Sequence, residues 1–86
     1  MKVKKDDAAL EVGFEVDSNR IGQRWVVTMT DNNVRFFSGS RLTTAPSGSF
    51  EIEKRTANRR GTDRIRAVAT NAKTGERCSA ALTFAG

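Results

Sequence analysis

The sequence predicts one small all-β domain, an immunoglobulin-like or fibronectin-type sandwich of about seven antiparallel strands. The first observation behind this prediction is that apolar and polar residues alternate along short segments, as they do in strands with one buried face. The second is that turn-forming residues separate these segments at regular intervals. The third is the length of 86 residues, which allows one domain over residues 1–86, with residues 1–7 as an N-terminal arm or edge strand.

The clearest alternation lies in residues 10–16, where Glu11, Gly13 and Glu15 separate the apolar side chains. A register shift of one residue would carry these carboxylates into the core, so the inward set is well defined. That set consists of Leu10, Val12, Phe14 and Val16. A loop at 17–23 leads to a second strand, whose inward residues are Trp25, Val27 and Met29 and whose outward residues are Val26, Thr28 and Thr30.

Asp and Asn at 31–33 predict a hairpin turn, because both residue types tolerate the left-handed backbone conformation. The next strand is predicted to turn Val34 and Phe36 inward. Gly39 predicts a bulge or kink at which this strand changes sheet. The sequence APSG at 45–48 predicts another turn, after which Phe50 and Ile52 face inward.

A polar turn at 57–63, with Gly61 in the left-handed conformation, precedes a strand with small inward residues. These residues are Ile65, Ala67 and Ala69. The two alanines leave room for a large side chain, which predicts that Trp25 packs over them at the centre of the core.

A hairpin at 72–75 leads to the last strand, whose residues at 78, 80, 82 and 84 share one face. They are Cys78, Ala80, Leu82 and Phe84. Because this face is the apolar one, Cys78 is predicted to be buried and slow to react.

The composition excludes several kinds of site. The chain has no histidine and one cysteine, which rules out a zinc cluster and a Ser-His-Asp or Cys-His catalytic centre. We therefore expect no enzyme activity, no cofactor and no metal. No apolar run approaches the roughly 18 residues of a membrane span. The opening residues, MKVKKDD, become acidic too early for a signal peptide.

The net charge of +5, from 15 Lys and Arg against 10 Asp and Glu, is concentrated in residues 54–66. This basic segment suits a polyanion, because the guanidinium fork binds phosphate and carboxylate with two hydrogen bonds. The candidate contacts are Lys54, Arg55, Arg59, Arg60, Arg64 and Arg66. The alternative is an ordinary solvated surface, partly neutralised by Glu51 and Glu53 on a strand predicted to adjoin it.

A second candidate is a protein-contact face. The strands at 24–30, 34–38, 63–71 and 76–84 are predicted to form one sheet, and its outer face is apolar for a solvated surface. The candidate contacts are Val26, Thr28, Phe37, Val68 and Ala81. Two partners therefore stay open, another protein on this face or a polyanion on the basic segment, and the sequence leaves the oligomeric state undetermined.

Three stretches of the sequence resemble one group of proteins. They are EVGFEVDSNRIGQRW at 11–25, APSGSFEIEKRTANRRGTDRIRAVATN at 45–71 and TGERC at 74–78. Over about residues 8–84 the chain resembles small secreted actinobacterial proteins with an immunoglobulin-like C-terminal domain. The resemblance implies a secreted or cell-surface location and carries no activity with it. It also implies a disulfide between Cys78 and an upstream cysteine, in a segment that follows a signal peptide.

These observations favour a non-catalytic binding or structural module that is secreted or lies at the cell surface. The alternative function is polyanion binding, to nucleic acid or an acidic polysaccharide, through the basic segment. A salt series separates the two, because contacts to a polyanion weaken steeply with salt and apolar contacts do not.

Overall fold

A computed structural model describes residues 1–6, 9–57 and 61–85, without the side chains of residues 6 and 85. In these ranges the chain forms seven antiparallel strands and no helix, so the all-β prediction is confirmed. The ranges contain no helix of the length and apolarity that crossing a membrane requires. The strands are β1 (Lys2–Asp6), β2 (Ala9–Asp17), β3 (Arg24–Asp31), β4 (Val34–Leu42), β5 (Ser49–Ala57), β6 (Thr62–Asn71) and β7 (Arg77–Ala85).

The seven strands are divided between two sheets. The three-stranded sheet has the order β1-β2-β5, and the four-stranded sheet has the order β4-β3-β6-β7. One face of each sheet contributes to a common core, so the two sheets form a sandwich. The four-stranded sheet contains the strands that the sequence predicts to lie together.

The core follows the predicted alternation on both sheets. The three-stranded sheet contributes Leu10, Val12, Phe14, Val16 and Ile52, and the four-stranded sheet contributes Trp25, Val27, Met29, Ile65, Ala67 and Ala69. None of these residues is more than 3% exposed. Burial of each large apolar side chain contributes about 1.5–3 kcal/mol. The shared core therefore holds the two sheets together, and the outer faces of the sheets lie on opposite sides of it.

Trp25 is buried, as predicted, but it lies nearer one end of the sandwich than expected. Its direct partner across the ladder is Asn71, whereas Ala69 lies opposite Val27 and Ala67 opposite Met29. The loops at 18–23, 43–48 and 72–76 lie at this end, which we name the tryptophan end.

The opposite end contains the predicted hairpin turn. Asn32 and Asn33 both have positive φ angles, 51° and 69°, as the favoured two-residue hairpin turn requires. The side-chain oxygen of Asn32 accepts a 2.8 Å hydrogen bond from the backbone N–H of Arg64, which joins the turn to β6. We name this the asparagine end.

Two loops at the tryptophan end are joined through the backbone. The Thr43 N–H donates to the Gln23 carbonyl at 2.9 Å, and the Gly22 N–H donates to the Thr43 carbonyl at 2.8 Å. Gly48 has a φ of +73°, and a Cβ there would lie 2.4 Å from the Arg20 nitrogen. Only glycine therefore permits this close approach of the loops.

The predicted irregularity in β4 lies at another position. The strand does not change sheet at Gly39; the register shifts between Met29 and Thr30, opposite Phe36. A bulge inserts one residue and reverses the alternation beyond it. Phe37 consequently pairs with Met29 and packs against the core, so its predicted place on the outer face is wrong.

The predicted burial of Cys78 is also wrong, because the thiol-bearing residue is exposed. Its register is as predicted, since it lies across from the buried Ala69. However, β7 is an edge strand, and β1 pairs with β2 only from Ala9 to Gly13. The three-stranded sheet is therefore narrower at the tryptophan end, and its described strands do not cover Cys78.

Candidate binding surface

The basic segment at 54–66 does not form one surface. Its first part lies on β5, which pairs with β2, and its last part lies on β6, which pairs with β3 and β7. Lys54 is half-buried on the inner side of the three-stranded sheet, and Arg55 lies on the outer side across from Glu11. The predicted single polyanion patch is therefore divided between two sheets, while Arg59 and Arg60 lie outside the described residues.

The same division overturns a second prediction about the basic segment. Arg64 and Arg66 are exposed on the outer face of the four-stranded sheet, as predicted. Glu51 and Glu53 belong to the other sheet, where they lie across from Glu15 and Gly13. They do not adjoin the two arginines, so the predicted neutralisation does not occur.

The structure instead brings together arginines from all four strands of the larger sheet. The outer residues on these strands include five arginines and no Asp or Glu. The five are Arg24, Arg35, Arg64, Arg66 and Arg77, all exposed. We name this surface the arginine face. Its charge of +5 has no carboxylate among the outer residues of the described strands to offset it.

The arginines lie in two groups along the strands. Arg35 and Arg66 both flank Thr30, so they are two strand spacings or about 10 Å apart. Arg64 precedes Arg66 by two residues, or about 7 Å. Arg24 lies near the tryptophan end, six residues before Thr30, which corresponds to about 20 Å along the strand.

The middle of the arginine face is uncharged and partly apolar. Thr28 lies directly across from Val68, and the neighbouring Val26 is 44% exposed. Ala81 lies across from Arg66 at the border of this area. Four of the five predicted protein-contact residues therefore lie on the same surface as Arg64 and Arg66, and Phe37 is the exception.

Arg24, Arg35 and Arg77 are not among the residues that the sequence predicts for either candidate surface. The alternation beside Trp25 and Cys78 is sufficient to place Arg24 and Arg77 on the outer face. Arg35 lies between the hairpin turn and the bulge, where it pairs with Thr30, so the predicted inward direction of Val34 is sufficient to place it on the outer face as well.

The outer face of the three-stranded sheet carries both signs of charge. We name it the mixed face; its charged residues are Lys2, Lys4, Glu11, Glu15, Asp17, Glu51, Glu53 and Arg55. Glu11 lies between Lys4 and Arg55 across the ladder. A shallow groove of about 590 Å³ passes over Gly13, which has no side chain to fill it.

Phe37 lies at the open edge between the two sheets, near two cations. The Lys54 Nζ is 4.9 Å from the centre of its ring, and the Arg41 guanidinium carbon is 5.4 Å away. Both distances allow cation–π attraction. Since Lys54 and Arg41 come from different sheets, this contact closes the edge over the core and accounts for Lys54 without an external ligand.

The described residues contain no group of three or more metal-ligating side chains suited to an ion. Asp31 and Asp63 are buried carboxylates near the asparagine end, and they are too few for such a group. Searches with protein-family models, against curated proteins and against solved structures found no match. The binding surface is therefore interpreted from its own geometry and charge.

Proposed function

We propose that this chain is a non-catalytic binding module that holds a negatively charged partner on its arginine face. One observation carries the proposal: the face has five arginines from four strands and no carboxylate among the outer residues of the described strands. A stable fold tolerates such unbalanced charge most readily when a partner supplies the opposite charge.

A protein with acidic groups is the first candidate partner. Protein interfaces have an uncharged centre with arginine enriched around it. The arginine face has this arrangement, with Val26, Thr28 and Val68 between its two groups of arginines. Arg64, Arg66 and Arg35 would then meet acidic groups at one border, and Arg24 would meet them at the other.

A linear polyanion is the second candidate. It is favoured by the spacing of Arg35, Arg64 and Arg66, which lie within about 12 Å of one another in register. Single-stranded nucleic acid is the weakest form of this candidate, because such binding depends on aromatic stacking. Among the described outer residues of the four strands, no aromatic side chain is available. An acidic polysaccharide needs no stacking.

The fold that we propose in detail is an immunoglobulin-like or fibronectin-type sandwich. The sheet order β1-β2-β5 against β4-β3-β6-β7 supports it, as does a buried tryptophan on the third strand. We also propose a secreted or cell-surface location, supported by the sequence resemblance. The absence of histidine supports a non-catalytic role, since histidine is the commonest general base.

The proposal is tested with two variants of equal charge. The first carries Arg35→Gln, Arg64→Gln and Arg66→Gln, and the control carries Lys2→Gln, Lys4→Gln and Arg55→Gln on the mixed face. On a heparin column, the first variant should elute at clearly lower salt than the wild type, and the control close to it. Equal early elution of both variants would show that only net charge matters, and the proposal would be wrong.

The same variants distinguish the two partner classes. If the partner is a polyanion, the wild type elutes from heparin above physiological salt, and the elution position depends on the three arginines. If the partner is a protein, heparin retention is weak, and a partner captured from culture medium is released by Val26→Asp and Val68→Asp in both low and high salt. A partner that the two valine variants retain would contradict the protein interface.

A further inference from the structure

The three-stranded sheet has a gap at the tryptophan end, beside β2 and beyond the start of β1. The ladder between these two strands ends where Lys2 lies across from Gly13, whereas β2 and its ladder with β5 continue to Asp17. On the β1 side, none of the described strands lies across from Glu15 or Asp17. Residues 15–17 of β2 therefore form a free sheet edge that is bounded by the end of another strand.

The backbone of β2 directs hydrogen-bonding groups into this gap. The Ser18 N–H, one residue after the strand, donates to the Gly48 carbonyl at 3.1 Å, on the β5 side. Successive strand residues point their N–H and C=O groups to alternate sides, so those of Glu15 and Asp17 point away from β5, into the gap. An added strand would therefore continue the antiparallel hydrogen bonding that Gly13, two residues earlier, is placed to make with β1.

The inner side of the gap is an uncovered strip of the other sheet. Strand β1 contacts β7 across the sandwich, so a strand that continues the line of β1 towards the tryptophan end would lie over the first residues of β7. At that position Cys78 is in the inner register but exposed, and the next inner residue, Ala80, is half-buried. This strip favours an apolar side chain of moderate size.

The outer side of the gap is negatively charged. Glu15 lies directly across from Glu51, and both are exposed. Farther along β2, Lys4 of β1 lies across from Glu11 and supplies the opposite charge. A lysine or arginine across from Glu15 would place the same favourable pair at this end of the sheet.

We propose that the gap binds an extended basic peptide segment, which adds a strand antiparallel to β2 and continues the line of β1. Lysine or arginine residues lie across from Glu15 and Asp17, and the apolar residue between them faces inward over Cys78. Residues 2–4 of β1 already have this alternation of lysine, valine and lysine. Because Met1 precedes the ladder, its amino group can move aside for the last residue of the peptide.

This inference goes beyond the proposed function, because it concerns an edge of the smaller sheet and a basic partner. The arginine face, on the larger sheet, holds a partner of the opposite charge. The two sites lie on different sheets, so each is tested without altering the other.

The test is a titration of the folded protein with the blocked tripeptide Ac-Lys-Val-Lys-NH₂, followed in ¹H–¹⁵N NMR spectra. The backbone amide signals of Glu15 and Asp17 should shift saturably, and their hydrogens should exchange more slowly as they acquire partners. The control peptide Ac-Glu-Val-Glu-NH₂ has the same length and the opposite charge, and it should bind several-fold more weakly.

Three outcomes would overturn the proposal. One is the absence of a saturable shift of these two amides up to the solubility limit of the lysyl peptide. Another is an equal shift of the Ser38 and Ser40 amides, which point away from β3 on the free edge of β4. The third is a change of the Glu15 and Asp17 signals with protein concentration alone, which would show that a second copy of the chain occupies the gap.

Two N-methylated peptides test the strand pairing itself. In the proposed register the second lysine directs its N–H towards β2, whereas the valine directs its N–H away. Methylation of that lysine nitrogen should weaken binding by about fivefold or more, and methylation of the valine nitrogen should have little effect. Equal effects of the two methyl groups would contradict the register.

A matched pair of variants locates the basic side chain. Glu15→Gln should weaken binding of the lysyl peptide by about two- to fivefold and leave binding of Ac-Gln-Val-Gln-NH₂ unchanged. Glu11→Gln, on the same strand and face but across from Lys4, should leave both affinities unchanged. Equal weakening by the two variants would show that only net charge attracts the peptide, and the assignment to the gap would be wrong.

Failure here is distinguishable from failure of the proposed function. The variant with Arg35→Gln, Arg64→Gln and Arg66→Gln retains the gap and should bind the lysyl peptide like the wild type. Loss of the peptide in that variant would place it on the arginine face and overturn the assignment. Glu15→Gln, in turn, should not lower the salt concentration at which the protein elutes from heparin.

Discussion

The mixed face and the arginine face lie on opposite sides of one core, and they differ in how their charges are balanced. On the mixed face, Glu11 lies between Lys4 and Arg55, and Glu53 lies across Gly13 from Lys2. Opposite charges on neighbouring strands stabilise a sheet. On the arginine face the corresponding neighbours of the arginines are threonine, alanine and leucine. On the first face opposite charges thus neighbour one another across the strands, whereas no carboxylate lies across the described ladders from the arginines of the second.

The mixed face has one exception to this pairing of opposite charges. Glu15 and Glu51 lie directly across from each other at the tryptophan end, where like charges are destabilising. This is also the part of the three-stranded sheet that β1 does not reach, since its ladder with β2 ends at Gly13. The carboxylates of the mixed face are therefore offset where the lysines of β1 reach them, and not at the end of the sheet beyond that strand.

The largest loss of stability is expected when the core that both faces share is disrupted. Trp25→Ala should destabilise the domain by about 3–5 kcal/mol, enough to unfold much of a domain this small. Urea denaturation followed by circular dichroism measures this loss, with Trp25→Phe as a control that should cost less. A loss below about 1 kcal/mol in Trp25→Ala would mean that the faces do not depend on this side chain.

A smaller effect on stability is expected from reversing single charges on the mixed face. Glu15→Lys converts the like-charge pair with Glu51 into an opposite pair, and it should raise the unfolding free energy by about 0.2–1 kcal/mol. Glu11→Lys is the matched control: it places three cations in a row with Lys4 and Arg55, and it should lower stability by a similar amount.

Salt provides the check on this pair of variants. Both effects should shrink when the denaturation is repeated in high salt, because the Debye length falls to about 3 Å at 1 M. A gain in Glu15→Lys that persists unchanged at high salt would point to side-chain packing and would contradict the electrostatic explanation.

The smallest effect on stability concerns Cys78, on the inner side of the wider sheet. Because the residue is exposed, Cys78→Ser should change the unfolding free energy by less than about 0.5 kcal/mol. In the folded wild type a thiol reagent should label Cys78 nearly as fast as in denaturant. Ala69→Cys in the Cys78→Ser background is the control; its thiol would lie on the buried neighbouring position and should react only on unfolding.

The inward residues of β2, β3, β5 and β6 are predictable from the sequence because alternation alone determines them. Phe37 is not, since its direction depends on a bulge between two strands. The exposure of Cys78 depends on the length of β1, a strand in the opposite sheet. Phe37 and Cys78 are misplaced because their surroundings depend on a second strand, although the grouping of β3, β4, β6 and β7 in one sheet is predicted correctly.

The arginine face illustrates the same dependence on neighbouring strands. Residues 54–66 form one basic block in the sequence, but the chain crosses from one sheet to the other within it. Arg64 and Arg66 therefore combine with arginines at 24, 35 and 77 instead of with Lys54 and Arg55. The charge pattern of a single segment cannot identify this set, because sheet membership decides which residues share a face.

The short ladder of β1 also affects how the domain opens. Strand β1 is paired along one side only, over five residues, whereas β2, β3 and β6 each have a partner on both sides. Amide hydrogens of β1 should therefore exchange with solvent through local detachment, and those of β3 and β6 only through global unfolding. A pull on the N-terminus would peel β1 away first, and the four-stranded sheet with its arginines would remain intact.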